Sequence, residues 1–373
     1  MANPTKKLGF GLMRMPLLSD GKTVHLEAVK QMVDVFMQRG FTYFDTAWPY
    51  HDGQSENILR QAVVERYDRN RFTITTKCPV WETETTDDME RIFNAQLERL
   101  GTHYVDYYWL HALDRGRIEK MDRIGAWDFM VKLRDSGRAR HIGFSYHDDA
   151  ETLERALAAH PEMEIVQLQI NYADWDSPSV QSRLCYEAAT AHGRPVVVME
   201  PVKGGTLAKV PERALELMRG HSPQASPASW AVRYAASLPN VMMVLSGMSD
   251  MEQLMDNTSY MQEFKPLDNA ERDIIRRVAD IYNDNTAIQC TACRYCTAGC
   301  PMDIAIPDFF ALYNTDKRYE QHSHWLNEKA YKTLLQAGHG AASQCIQCGQ
   351  CESQCPQHLP IIDSLQLVAQ AFE

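Results

Sequence analysis

This chain of 373 residues has no long apolar run and no cluster of positive charge, and few of its cysteines lie outside two short segments. No segment reaches the roughly 20 apolar residues that a membrane-spanning helix needs, and the opening MANPTKKLGFGLMRMP lacks the apolar run of a secretion signal. The net charge of -11 and the dispersed Lys and Arg residues argue against nucleic acid and anionic membranes as partners. We therefore expect a cytoplasmic protein that binds neither nucleic acid nor membrane.

Cysteine is rare until the chain nears its end. Only Cys78 and Cys185 precede residue 289, and the other eight cysteines lie in two segments, CTACRYCTAGCP at 290–301 and CIQCGQCESQCP at 345–356. A disulfide framework is typical of small secreted chains, which this chain does not resemble in size or composition. The clustering therefore predicts reduced thiols that hold metal.

Short apolar runs alternate with amphipathic helical patterns between residues 8 and 257. The predicted strands are LGFGLMRM, FTYFDTA, RFTITTKCPV, YVDYYWLHA, HIGFSYH, IVQLQINYA, PVVVMEPV and VMMVLSGM. The predicted helices cover residues 25–39, 54–66, 87–100, 123–136, 149–159, 178–192, 225–237 and 250–257. The segment ALDRGRIEKMDRIG, at 112–125, is predicted to be a loop.

Eight such alternations over about 250 residues favour a closed parallel barrel, because parallel strands need crossover helices and eight strands close around a packed interior. We predict an α/β fold, a (β/α)8 TIM barrel. An open doubly wound sheet is the alternative. It is disfavoured because GFGLMR lacks the third glycine of a dinucleotide-binding fingerprint and does not follow a strand-to-helix turn.

The remainder of the chain has helical character only. PLDNAERDIIRRVADIYND predicts a connecting helix, the segments between the two cysteine motifs have helical patterns, and IIDSLQLVAQAF predicts a final helix. We therefore predict a barrel at 1–260, a connecting helix at 261–289 and a small all-α, ferredoxin-like domain at 290–373.

Four chemically active side chains fall in or just after the second, third and fourth predicted strands, where barrel enzymes place their active sites. They are Asp45, Tyr50, Lys77 and His111. A carbonyl that accepts hydride needs a proton donor, and a tyrosine, whose ordinary pKa is about 10, is a weak acid at neutral pH. We expect Lys77, anchored by Asp45, to lower the pKa of Tyr50, and His111 to orient the carbonyl oxygen. Each residue alone also has an ordinary structural explanation.

Seven segments resemble the aldo-keto reductase family, in order and spacing, across roughly residues 6 to 260. They are LGFGLMRMP, FTYFDTAWPYHDGQSENIL, TITTKC, LERLGTHYVDYYWLH, HIGFSYH, VQLQINY and VVVMEPVKGG. The Asp, Tyr, Lys, His tetrad of that family falls on Asp45, Tyr50, Lys77 and His111. The resemblance implies NAD(P)H-dependent reduction of an aldehyde or ketone, or oxidation of the alcohol, with Tyr50 as the general acid.

The cofactor contacts that the resemblance implies are only partly present. Ser145 and Gln167 match residues that hold the nicotinamide in the family, but Tyr146 replaces an Asn and Met199 replaces the stacking aromatic residue. The residues implied to bind the cofactor are Gly11, Ser145, Gln167, Met199, Gly204, Gly205 and Gly247.

Further departures concern the nucleotide end of the cofactor. Gly247 and Gln253 stand where the family has the Lys and Arg that grip the 2′-phosphate of NADPH, so we expect no strong preference for NADPH over NADH. Gly204 and Gly205 would let the backbone approach a pyrophosphate. Altered nicotinamide binding, a flavin in its place and weak nucleotide binding are all compatible with these departures.

Both cysteine segments have the spacing C-x2-C-x2-C-x3-C-P of bacterial ferredoxins, in which the fourth cysteine binds the cluster of the other motif. On this rule two 4Fe-4S clusters are held by Cys290, Cys293, Cys296 and Cys355, and by Cys345, Cys348, Cys351 and Cys300. Zinc is the alternative, but zinc sites normally use two separated cysteine pairs. The long helical spacer resembles the α-helical ferredoxin domains of reductase subunits.

These patterns predict an aldo-keto reductase-type oxidoreductase that acts on a small carbonyl or alcohol and is coupled to electron transfer through the clusters. A ferredoxin or flavodoxin-type carrier is the expected partner, in an anaerobic setting. Direct coupling needs a group such as a flavin, because hydride moves two electrons and a cluster moves one. The alternatives are clusters that only stabilise the fold, and a redox sensor or electron carrier whose barrel binds a nucleotide with little turnover.

Overall fold

The computed structural model describes residues 6–318 and 324–373, which form two compact units. The first unit contains Met1–Ser177, Gln181–Val202 and Ala228–Asp268, and the second contains Pro178–Val180, Lys203–Pro227 and Asn269–Glu373. The segment that follows the seventh strand, and the helix expected to be a connector, therefore pack within the second unit. Among the described residues, no helix is long and apolar enough to cross a membrane.

A closed parallel barrel of eight strands forms the first unit, so the barrel prediction is confirmed and an open doubly wound sheet is wrong. Each strand pairs with its neighbours in chain order, and β1 pairs with β8 to close the barrel. The strands are β1 Leu8–Gly11, β2 Tyr43–Asp45, β3 Thr73–Cys78, β4 Val105–Leu113, β5 Ala139–Tyr146, β6 Ile165–Gln169, β7 Val196–Met199 and β8 Val241–Ser246.

Helices of the first unit follow the strands as the alternating pattern predicted. They are α1 Leu26–Gln38, α2 Ser55–Leu59, α3 Thr86–Leu100, α4 Arg115–Ile124, α5 Ala126–Asp135, α6 Ala150–Ala159, α7 Ser182–Ala191, α9 Pro227–Ala236 and α10 Met251–Met261. Helix α3 begins with a capping box between Thr85 and Asp88 and ends at Gly101, where φ is 66°. The apolar faces of these helices and the outward side chains of the strands form one continuous core.

The loop predicted at 112–125 is wrong over most of its length, because α4 occupies Arg115–Ile124. The Asp114 side chain accepts a hydrogen bond from the Arg117 backbone amide and starts the helix. Gly125, with φ of 73°, ends α4 and begins α5. The polar composition of α4 hid it, because only Ile118 and Met121 are buried.

Aromatic and large aliphatic side chains fill the barrel interior. Tyr43, Tyr107 and Trp109 lie with successive ring centroids 5.5 Å apart. They cluster with Ile165, Val197, Met242, Met243 and Leu245. Because a filled interior leaves no pore, ligands of this barrel have to bind at the strand ends.

Helices dominate the described part of the second unit, with one isolated β-bridge between Ile304 and Gly340. They are α8 Glu212–His221, α11 Asn269–Asp284, α12 Ile306–Arg318, α13 His324–Gln336, α14 Gln350–Ser353 and α15 Ile361–Phe372. Its core contains Phe309, Phe310 and Val368, together with Tyr331, whose hydroxyl accepts from the Ala342 amide at 2.8 Å. The expected all-helical character of the C-terminal region agrees with this arrangement.

Candidate functional site

Lys77 and Asp45 form a buried ion pair at the carboxyl ends of β3 and β2. The Lys77 ammonium donates to Asp45 Oδ1 at 2.7 Å and to the Thr46 carbonyl at 2.8 Å. Lys77 is 1% exposed and Asp45 is 3% exposed. Burial raises the pKa of Asp45 and lowers the pKa of Lys77, and the attraction between the two charges opposes both shifts.

Tyr50 lies close to this pair, in the segment between β2 and α2. The Lys77 ammonium is 5.1 Å from the centroid of the Tyr50 ring, and the His111 ring lies 6.0 Å away in an edge-on arrangement. Burial raises the pKa of Tyr50 well above its usual value, and the Asp45 and Glu200 carboxylates act in the same direction. The net shift is therefore opposite to the lowering expected from Lys77, because burial and the two carboxylates outweigh the ammonium.

His111 is buried near the end of β4, and its ring lies 5.1 Å from that of Trp81. Burial lowers the pKa of His111 well below its usual value, and the positive charges of Lys77, His147 and Arg117 contribute to the same shift. The imidazole is therefore neutral at physiological pH. The structure thus brings together all four residues of the predicted tetrad.

Two charged residues that the sequence interpretation missed also act on Tyr50. Glu200 follows β7 directly and raises the pKa of Tyr50, whereas Arg14, which follows β1, lowers it. Their positions just after strands were a usable signal, since barrel chemistry collects there. They make the mouth of this barrel more highly charged than the tetrad alone.

Three of the residues expected to bind the nicotinamide lie on β5, β6 and β7. Ser145 Oγ accepts a hydrogen bond from the Ala112 amide at 2.7 Å. Gln167, on β6, is 2% exposed, and its Oε1 has no hydrogen-bond partner among the described residues. Met199 pairs in register with Gln169.

Two further predicted cofactor residues lie at strand ends, because Gly11 is the last residue of β1 and Gly247 follows the last residue of β8. Gly11 pairs in register with Asp45. A Cβ on Gly247 would lie 3.3 Å from the Arg14 side chain. Gln253 is occupied in a helix cap, because its Oε1 accepts from the Ser249 amide and its Nε2 donates to Asp250.

Among the residues that the structure describes, three predicted site residues of the barrel have buried polar atoms without hydrogen-bond partners. In the described part of the barrel, Asp45 Oδ2, His111 Nδ1 and Gln167 Oε1 are buried and make no hydrogen bond. Such atoms are uncommon in folded proteins unless a water or ligand satisfies them. This donor and acceptor set suits the carboxamide of a nicotinamide and the oxygen of a carbonyl substrate.

The Gly204–Gly205 turn lies in the second unit, where the two glycines differ in their surroundings. At Gly204, with φ of 66°, a Cβ would lie 2.0 Å from the Thr291 carbonyl oxygen, which follows the ligand candidate Cys290. At Gly205, with φ of 98°, a Cβ would meet nothing within 4 Å. Glycine at 204 is therefore required by the close approach of the first cysteine loop, a reason that the sequence did not disclose.

Cys290, Cys293, Cys296 and Cys355 line one cavity, together with Thr291, Arg294, Ile306, Pro307, Phe310, Gln357, Leu359 and Ile361. The fourth cysteine of the second motif thus lies with the first three of the first motif, as the ferredoxin rule predicted. Burial, together with the neighbouring thiolates, raises the pKa of Cys296 to about 12. The Ala292 amide donates to Cys290 Sγ at 3.4 Å.

The second set of cysteines is more open. Cys348 is exposed, whereas Cys345 and Cys300 are partly buried and Cys351 is 9% exposed. Gly299, next to Cys300, lies against Gln350, next to Cys351, since a Cβ on Gly299 would be 3.0 Å from the Gln350 side chain. This contact brings the end of the first motif beside the second.

All eight motif thiols are free of disulfides. Among the described residues, no three His, Cys, Asp or Glu side chains are placed to hold a single metal ion. The thiol cavity, with its largely apolar walls, matches the chemistry of an iron-sulfur cluster, which thiolates bind in a poorly hydrated pocket.

Comparison with known proteins places both parts of the chain. Residues 7–280 match the family model for the aldo/keto reductases, and residues 289–359 match a 4Fe-4S dicluster domain. The second match supports iron-sulfur chemistry over the zinc alternative.

Individual relatives match the barrel. An aldo-keto reductase of Mycolicibacterium vanbaalenii is 26% identical over 240 residues, 61% of this chain and 76% of that protein. Aflatoxin B1 aldehyde reductase member 2 of Homo sapiens is 28% identical over 160 residues, 42% of this chain and 36% of that protein. An aldo-keto reductase of Gibberella moniliformis is 28% identical, with 40% of this chain and 45% of that protein covered. The chain spans less than half the length of the last two.

A solved structure shares the fold. The aldo-keto reductase of Klebsiella pneumoniae in complex with NADPH is 20% identical, with a TM-score of 0.59 and coverage of 74% of this chain and 91% of that chain. With the family match over residues 7–280 and the barrel in agreement, this chain belongs to the aldo/keto reductase family.

Proposed function

We propose that the barrel reduces an aldehyde or ketone, or oxidises the corresponding alcohol, with NADH or NADPH. The observation that carries this proposal is the arrangement of Tyr50 beside His111 and the buried Lys77–Asp45 pair. A bound nicotinamide would supply the hydride. Gly11, Ser145, Gln167, Met199 and Gly247 are the residues proposed to hold it.

Tyr50 is proposed as the general acid of the reduction. Its raised pKa keeps the phenol protonated at neutral pH, so a proton is available for the developing alkoxide. His111, held neutral by burial, is suited to donate a hydrogen bond to the same oxygen and so fix its position. The Lys77–Asp45 pair supplies a buried dipole beside the phenol, and a negative charge that develops on the tyrosine would be stabilised by the ammonium.

The C-terminal region is proposed to hold two 4Fe-4S clusters. Cys290, Cys293, Cys296 and Cys355 would bind one, and Cys345, Cys348, Cys351 and Cys300 the other. The shared cavity of the first set and the dicluster match support this assignment. We further propose that the clusters exchange single electrons with a ferredoxin or flavodoxin-type carrier in an anaerobic cytoplasm, and that a flavin joins them to hydride chemistry if the two are coupled.

An anaerobic assay tests the barrel proposal. The purified chain should oxidise NADH or NADPH when offered a panel of aldehydes, and Tyr50→Phe should lower the rate by at least a hundredfold. Tyr67→Phe is the matched control, because that hydroxyl bonds Asp34 and lies outside the mouth. No turnover by the wild type with any carbonyl or alcohol would contradict the proposal.

Metal analysis tests the cluster proposal separately. The chain purified without oxygen should contain about eight irons and eight sulfides. Cys293→Ser should reduce the iron content, whereas Cys185→Ser, which changes a thiol on α7, should not. Absorption spectra of the same sample would also reveal bound flavin. Clusters that are reduced by a carrier, together with absent carbonyl turnover, would favour the alternative of an electron carrier whose barrel binds a nucleotide.

A further inference from the structure

The two cysteine loops follow the same backbone path but differ in charge. Ala292 and Gln347, which precede the second cysteine of each motif, have φ of 52° and 57°. Arg294 and Gly349, which follow that cysteine, have φ of 66° and 75°. The loops therefore present matched positions to their sites, and a guanidinium in the first loop replaces a hydrogen atom in the second.

A second pair of matched positions also makes the first loop more positive than the second. Thr297 follows the third cysteine of the first motif, whereas Glu352 follows the third cysteine of the second. Glu352 directly follows Cys351 in the chain, and its Oε1 accepts a hydrogen bond from the Ile362 amide at 2.9 Å. At these two matched positions, the first loop therefore carries a cation and the second loop carries an anion.

Arg294 is held in place beside the first site. It lines the cavity formed by Cys290, Cys293, Cys296 and Cys355. Its two terminal nitrogens bond the two oxygens of Asp308 at 2.9 and 2.7 Å, and Asp308 lies in the first turn of α12. A bidentate contact of this kind fixes the plane of the guanidinium.

Arg294 has a backbone conformation that is unfavourable for a residue with a side chain. Residues with a Cβ avoid positive φ, and glycine adopts it without penalty, as Gly349 does at the matched position. Arginine at position 294 therefore gives the loop a less favourable backbone in exchange for a fixed positive charge. Arg294 directly follows the ligand candidate Cys293, so its positive charge lies next to the first site.

We propose that Arg294 holds the reduction potential of the cluster bound by Cys290, Cys293, Cys296 and Cys355 above that of the other cluster. This inference rests on the proposed two-cluster function. Reduction adds one electron, and so one negative charge, to a cluster, and a fixed cation nearby stabilises that charge. Electrons from a one-electron donor therefore collect at the first cluster, and no bond or proton needs to move in the transfer.

The difference in burial between the two sites favours the opposite order of reduction potentials. The second site is more exposed, since Cys348 is exposed and Ile346 is 60% exposed, and water stabilises added charge. The two charge differences outweigh this effect, because both concern groups adjacent to ligand cysteines. Asp308→Asn changes a charge and leaves the size of the side chain almost unaltered, so it separates the effect of charge from that of burial.

An anaerobic redox titration of the full chain, followed by electron paramagnetic resonance, tests the proposal. The wild type should show two reduction steps, and Cys348→Ser should perturb only the lower one. Arg294→Gly should lower the reduction potential of the higher step by at least about 59 mV, which is a tenfold change in equilibrium constant for a one-electron couple. Arg294→Lys should leave the reduction potential of the higher step close to the wild-type value. Arg276→Gln, on α11, should change the potential of neither step.

Two carboxylate variants should shift the potentials upward. Asp308→Asn should raise the higher step, because it leaves the guanidinium uncompensated, and Glu352→Thr should raise the lower step. A purely structural role for the Arg294–Asp308 pair would make Arg294→Gly and Asp308→Asn shift the higher step in the same direction. Opposite shifts of these two variants therefore identify an electrostatic role.

Different outcomes would contradict the role of Arg294 and the two-cluster function on which it rests. Arg294→Gly and Asp308→Asn shifts of less than threefold in equilibrium constant, or a shift of only the lower step by Arg294→Gly, would contradict the role of Arg294. About four irons per chain would contradict the two-cluster function itself. If Arg294→Gly fails to assemble clusters, Arg294→Lys and Asp308→Asn decide the question by the sign of the shift.

Discussion

The Lys77 ammonium lies 2.7 Å from Asp45 Oδ1, and both side chains are almost completely buried. Each residue is costly to bury alone, because a lone charge in the interior lacks the solvation of water. Together they supply a fixed dipole directly beside Tyr50. The pair therefore links the stability of the barrel to the chemistry proposed for its mouth.

Breaking this pair should cost both stability and activity. Asp45→Asn should lower the free energy of unfolding by roughly 3–5 kcal/mol, because it leaves the Lys77 ammonium buried without a counter-charge. Urea denaturation measures this change, and Glu27→Gln, which breaks an exposed pair with Lys30, should have no measurable effect. The double variant Asp45→Asn, Lys77→Met should regain stability without regaining activity. Recovery of activity in that variant would contradict a role for the pair in catalysis.

The pH dependence of carbonyl reduction should be flat through neutrality. The acid form of Tyr50 is the active one, and its raised pKa keeps that form populated to high pH. His111, with a lowered pKa, is neutral above its own titration range and adds no inflection near neutral pH. Values of kcat/KM between about pH 6 and 10 should therefore vary by less than about threefold. A fall centred near neutral pH would show that another group supplies the proton.

Cofactor selectivity should be weak. Gly247 and Gln253 provide no cation for a 2′-phosphate, and the Gln253 side chain is engaged in the cap of α10. Each charge-assisted hydrogen bond contributes about 1.5–3 kcal/mol, so losing two removes most discrimination. We expect kcat/KM for NADH and NADPH to agree within about tenfold. A preference for NADPH above a hundredfold would identify another phosphate-binding cation.

The two adjacent glycines of the turn after β7 should respond differently to alanine. Gly204→Ala would place a methyl group 2.0 Å from the Thr291 carbonyl oxygen, so it should displace the first cysteine loop and reduce the iron content. Gly205→Ala meets no atom within 4 Å and bears only the strain of positive φ. Thermal unfolding and iron analysis of both variants provide the comparison. Equal effects would show that the contact with Thr291 is unimportant.

The barrel was predictable because strand and helix periodicities alternate clearly along its sequence. Helix α4 was missed because its few apolar residues gave no amphipathic pattern, although Asp114 and Gly125 were available as boundary signals. The proximity of Asp45, Tyr50, Lys77 and His111 was predictable from their positions in or just after strands and from the family resemblance. The direction of the Tyr50 pKa shift was not, because it depends on burial and on the distant Glu200, which only the folded chain brings close.

The cysteine region shows a similar division. Spacing alone predicted that Cys355 would join the first motif, and the structure places it in that cavity. The reason for Gly204 was hidden, because the residue it contacts, Thr291, lies far away in sequence. Contacts of this kind depend on packing between distant segments, for which local patterns give no signal.

Transfer of deuterium from the nicotinamide to the substrate is the most direct test of hydride chemistry in the barrel. Anaerobic protein should be supplied with NADH or NADPH deuterated at each face of the nicotinamide ring, together with an aldehyde, and the alcohol product analysed by mass spectrometry. We expect one deuterium in the product from one of the two faces, and at least a hundredfold less product with Tyr50→Phe. If oxidation of the cofactor instead reduces the clusters, and the product contains no deuterium, direct hydride transfer to the substrate is contradicted.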